Sequence, residues 1–116
     1  MKTIDRIFGV LMVLGGFGHG LGSCQAYHDA PITLLWALSA SFAGILLASV
    51  NLLRTARPGD RALAWISFAG CLVWSGFVVA FGHLIHNFLD FRVLVNLILT
   101  AALALFSLRS ALQTAA

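Results

Sequence analysis

The chain has 116 residues, of which 60% are hydrophobic and 9% charged, and its mean hydropathy is +0.97. Soluble domains carry about 25% charged residues, so the composition argues against a soluble domain, a disordered chain and a nucleic-acid-binding domain. The pI near 9.5 reflects seven dispersed Lys and Arg residues, which in a membrane chain set topology rather than bind phosphate.

The charges divide the chain into charge-free runs over 7–28, 30–53, 62–89 and 93–108. A transmembrane helix needs about 20 apolar residues, and the first three runs qualify. The fourth spans about 24 Å as a helix; Arg92 and Arg109 at its ends can snorkel to the interfaces. The sequence therefore predicts four transmembrane helices, over about 4–22, 32–53, 62–86 and 92–109. Four segments cannot close a β-barrel. The expected fold is an all-α integral membrane protein. It is an antiparallel up-down-up-down four-transmembrane-helix bundle forming a single domain over 1–116.

Lys2 and Arg6 flank the start of helix 1, which is rich in glycine. Gly16/Gly20 and Gly18/Gly22 have the small-xxx-small spacing of close helix packing or of homo-oligomerisation. Leu21-Gly22-Ser23-Cys24 has the form of a lipoprotein cleavage box, but His19 within the apolar stretch fits a signal sequence poorly, and the segment reads as a retained helix. Cys24, His28 and Asp29 fall in the first outer connection, 23–31, which Pro31 closes.

Helix 2 repeats the small-residue spacing at Ala37/Ser41 and Gly44/Ala48. Arg54, Arg57 and Arg61 then occupy the 54–61 loop, whose Pro58-Gly59 pair marks a tight turn. Helix 3 carries Ser67, Cys71, Ser75, Val79 and His83 at steps of four. Helix 4 carries Arg92, Asn96, Thr100, Ala104 and Ser107. Each set makes one slanted stripe, and polar groups in a bilayer turn toward the bundle interior. The two stripes are expected to face each other or to line a polar track, with ordinary helix packing as the competing reading. Cys71 lies about 18 Å below the outer boundary, too deep to pair with Cys24. It reads as a small packing residue, while Cys24 reads as a free thiol, an intermolecular bridge or a soft metal ligand.

Six of the seven basic residues fall on one side: Lys2, Arg6, Arg54, Arg57, Arg61 and Arg109. The positive-inside rule then puts both termini and the 54–61 loop in the cytoplasm of a multi-pass inner-membrane protein. All four histidines land on the other, periplasmic side. Phe17-Gly18-His19 recurs as Phe81-Gly82-His83, and each copy is followed by a second histidine, His28 and His86. This raises the reading of two duplicated helical hairpins, against coincidence in a biased composition.

His83 and His86 are spaced i, i+3, which places them on one helix face. With His19, His28 and Asp29 they form a candidate site for a transition-metal ion such as Zn, Cu or Fe. Alternatively, His19 and His83 sit at similar depth on different helices, each beside glycine, as the two axial ligands of a b-type haem would. Bis-His membrane cytochromes resemble this arrangement in outline. The competing reading is that no cofactor is bound and the histidines are interfacial side chains.

The expected function is cofactor binding at the outer face, for electron transfer or metal handling. The alternatives are a cofactor-free accessory or assembly subunit of a larger membrane complex, and a small oligomeric transporter using the stripes of helices 3 and 4. The expected partners are the lipid bilayer and a homo-oligomer or larger complex, not nucleic acid. No nucleophile–base–acid set for hydrolysis is present, so any enzymatic role would be membrane redox chemistry. In helix count and in Gly18-His19 near the end of helix 1, the chain resembles small four-helix bacterial membrane proteins of the DoxX-like sort. That resemblance covers topology and one dipeptide and implies no site residue.

Overall fold

A computed structural model describes residues 1–113 as four helices, with no strand among the described residues. These are α1 (Lys2–Ala26), α2 (Pro31–Ala56), α3 (Arg61–Leu84) and α4 (Phe91–Leu112). Each is long and apolar enough to cross a membrane. Their packing is compatible with a bundle. Along α1, Asp5 meets Arg54 of α2, and Gly9, Gly16 and Gly20 approach Leu52, Ile45 and Ser41 in turn. The pairing runs backward along α2, so the first hairpin is antiparallel. Arg61 against Ala111, Ser75 against Thr100 and Gly82 against Val93 show the same for α3 and α4. The closest associations are α1 with α2 and α3 with α4, whereas α1 and α3 lie diagonally with no close backbone approach.

The helices outrun every expected limit except the end of α3, and several of these ends have a local cause. Residues 23–26 contain no breaker, so α1 continues to Ala26, and Cys24 belongs to this helix rather than to the outer connection. Pro31 stands at the first position of α2, where its missing N–H costs nothing. This helix runs on to Ala56, just before Pro58 and Gly59, and Gly59 has a φ of 94°. Arg54 is thus a helical residue, not a loop residue. Asp60 caps α3, its Oδ1 accepting from the Leu63 N–H at 3.0 Å, and Asp90 caps α4 by accepting from Arg92 N at 2.9 Å.

One helix ends early. The expected third helix includes His86, but α3 stops at Leu84. The His86 N–H donates to the His83 carbonyl at 3.0 Å and the Asn87 N–H to the Gly82 carbonyl at 3.1 Å. This is the paired bonding of a Schellman motif, with His86 in the position that glycine usually takes. His86 has a φ of 53° and is the one positive-φ non-glycine among the described residues. His83 and His86 therefore do not share a helix face.

Polarity is inverted relative to a water-soluble bundle. Leu14, Phe42, Phe77 and Leu105 are all more than 60% exposed, while Asn51, Ser67, Thr100 and Ser107 are 1% exposed or less. Such an exterior suits hydrocarbon, where polar side chains turn inward to find partners. The apolar part of the core is Met12, Ala48, Cys71, Leu99, Leu103 and Ala104. Small residues let the helices close upon it. An added Cβ at Gly16 would stand 2.5 Å from Ile45, whereas one at Gly18 would meet nothing within 4 Å. Of the two small-residue pairs on α1, Gly16/Gly20 therefore packs against α2 and Gly18/Gly22 faces outward.

Candidate functional site

The expected outer-face residues occupy one end of the bundle but do not converge. His19 is exposed on α1. His28 lies in the α1–α2 turn, its Nδ1 3.0 Å from the Gln25 carbonyl and its Nε2 2.8 Å from Asp29 Oδ2. Both members of that pair are exposed. His83 and His86 are neighbours, with ring centroids 6.1 Å apart and planes inclined at 59°. Among the described residues, no three His, Cys, Asp or Glu side chains approach closely enough to hold a metal ion together. The structure thus brings four of the five expected metal ligands together only as two separate pairs, His83 with His86 and His28 with Asp29, and His19 joins neither in a group of three. The duplicated Phe-Gly-His motifs also differ in setting. Gly18 faces open space, while Gly82 lies under the Phe88 ring, whose nearest atom would stand 2.8 Å from an added Cβ.

The α3–α4 connection that carries His86 is held by its own contacts. Phe88 folds back over Gly82, and Asn87 Oδ1 accepts from the Leu89 N–H at 3.0 Å. Arg92 binds Asp90 through Nε and Nη2, at 3.0 and 3.1 Å, while its guanidinium carbon lies 5.0 Å from the Phe81 ring centroid. The side-chain and backbone donors of Arg92 hold the Asp90 carboxyl below the usual carboxylate range. The segment that carries His86 is consequently tied at both ends.

No family model, curated protein or solved structure matches the chain. Its chemistry has to be read from its own residues.

The polar stripes of α3 and α4 do meet. Ser75 and Thr100 share a hydrogen bond at 2.8 Å, and Trp74 Nε1 donates to Asn96 Oδ1 at 3.3 Å. Farther along α3 toward its N-terminus, Ser67 and Cys71 are fully buried. Cys71 accepts from Asn51 Nδ2 at 3.5 Å, and among the described residues Ser67 Oγ has no hydrogen-bond partner. Both cysteines are free thiols.

The basic end holds a network that the sequence reading did not identify. Arg54, 3% exposed, donates to both Asp5 oxygens, at 2.9 and 2.6 Å. It also donates to Ser110 Oγ at 3.1 Å. Asn51 Oδ1 accepts from Ser107 Oγ at 3.1 Å and from Arg54 at 3.4 Å. All four helices contribute: Asp5 from α1, Asn51 and Arg54 from α2, Cys71 from α3, Ser107 and Ser110 from α4. Burial of the guanidinium is tolerable because the carboxylate lies against it with two charge-assisted bonds. The available sequence signal is the i, i+3 pair Asn51/Arg54, which shares a helix face, opposite an acid in the first turn of an antiparallel neighbour.

Proposed function

We propose that this chain is a multi-pass inner-membrane protein that binds an exchangeable transition-metal ion at its periplasmic end, with His83 and His86 as its ligands. The observation that carries the reading is the histidine pair itself. Two imidazoles on one ion, each at about 2.0–2.1 Å, place their centroids roughly 5–6 Å apart. The pair stands at 6.1 Å, within reach of a small side-chain rotation. His86 also occupies a left-handed position that suits glycine. A strained residue beside a potential co-ligand supports a role for its side chain.

Imidazole suits Zn, Cu, Fe and Ni. Two protein ligands leave coordination positions open, which favours uptake and transfer over a closed structural site. This supports metal handling. A haem between His19 and His83 has less support, since both residues are exposed rather than turned into the bundle core where such a cofactor sits. The orientation rests on the gathering of Lys2, Arg6, Arg54, Arg57, Arg61 and Arg109 at the opposite end.

The test is Zn2+ and Cu2+ binding to the detergent-purified full chain by calorimetry. His83→Ala and His86→Ala should each abolish the binding, and His28→Ala should preserve it. Unchanged binding in both of the first two variants would overturn the proposal, as would a b-type haem spectrum in the dithionite difference. Cys24 should react with an impermeant thiol reagent added to intact cells. Labelling only after lysis would invert the orientation.

A further inference from the structure

The basic end contains a cavity of about 330 Å³. Lys2, Arg54, Arg57 and Arg109 line it, with Asp5 and Asp60 as the acidic residues. Asp5 is committed to Arg54, and Asp60 Oδ1 caps α3. Among the described residues Lys2, Arg57 and Arg109 form no ion pair. The polar contact of Arg109 is to the Met1 thioether, a weak acceptor, at 2.7 Å. Among the described residues Arg54 Nε is buried without a partner, so even the paired guanidinium keeps one unused donor there. The wall also includes Thr55 and Ser110, whose hydroxyls donate to the Leu52 and Phe106 carbonyls at 2.7 and 2.9 Å.

We infer that this cavity binds a phosphate group. Among the described residues, three cations without an ion pair stand around this recess against one carboxylate not paired with an arginine, Asp60. Their N–H donors and net positive charge match the needs of a phosphate group. Two sources share that chemistry: the headgroup of an anionic phospholipid in the adjoining leaflet, and a free phosphate-containing solute. This site is independent of the histidine pair at the other end.

The experiment uses the full chain in neutral detergent. Retention of phosphatidylglycerol and of phosphatidylcholine is measured by native mass spectrometry, and binding of inorganic phosphate by calorimetry. The lipid source predicts retention of phosphatidylglycerol over phosphatidylcholine; the free source predicts phosphate binding without that preference. In either case the triple variant Lys2→Gln/Arg57→Gln/Arg109→Gln should weaken binding about a hundredfold, from roughly a log unit or less per basic residue. Arg6→Gln removes a cation of the same end that does not line the cavity, and should change affinity less than twofold. Circular dichroism melting of each variant reports folding separately. Binding of neither phosphate species, or equal weakening by Arg6→Gln and the triple variant, would overturn the inference.

Discussion

Asp5 and Arg54 stand 49 residues apart and meet through two hydrogen bonds inside the basic end of the bundle. The pair ties the first turn of α1 to the last turn of α2. Through Ser110 and Asn51 it reaches α4, and through Cys71 it reaches α3.

Removing one partner should therefore cost far more than removing both. Asp5→Asn leaves a buried guanidinium short of its counter-charge, and such a loss costs about 3–5 kcal/mol. Asp5→Leu combined with Arg54→Met should recover most of that, because apolar side chains need no partner there. Thermal unfolding in detergent of Asp5→Leu, Arg54→Met and the double variant, as a double-mutant cycle, measures the coupling. Additive single effects would remove the pair from its bridging role.

The glycines of α1 should separate by face. Gly16→Ala drives a methyl group against Ile45, and overpacking costs about 1–3 kcal/mol. Gly18→Ala enters open space and should be neutral or stabilising by roughly 0.5–1 kcal/mol, since alanine has less backbone freedom to lose. Unfolding midpoints of the two variants check the order.

Asp90 gives the fold a pH signature. Its carboxyl is held below the usual range by Arg92, so the folded state favours the ionised form. That stabilisation is complete above the unfolded carboxylate range, about pH 3.9, and is lost as pH falls through the lower folded value. Asp90→Asn should lower the unfolding midpoint at neutral pH, and the difference from the parent should close as the solution is acidified. A difference that stays constant with pH would contradict the ion pair.

The four helices were legible because so few charges interrupt the apolar runs and because Pro31 closes the first connection, whereas the caps at Asp60 and Asp90 emerged only in the structure. The facing of the α3 and α4 stripes was legible from steps of four residues. Arg54 was not. Linear spacing does not separate an arginine that leaves the membrane from one that turns inward, and only the antiparallel hairpin brings Asp5 opposite it. The histidines show the complementary limit. Their shared end follows from the order of helices, but their lateral positions follow from packing, which sets α1 and α3 diagonally. His86 left its expected helix face because a Schellman motif closed α3 without the glycine that normally announces one.

His86→Gly tests the proposed metal site most directly, because structure and ligation respond in opposite directions. Glycine fits the left-handed backbone position, and relieving it should stabilise the metal-free protein by about 1 kcal/mol. The same change removes a ligand. The account predicts a raised unfolding midpoint together with loss of Zn2+ and Cu2+ binding by calorimetry. A more stable protein that still binds either ion with the parent's affinity would contradict it.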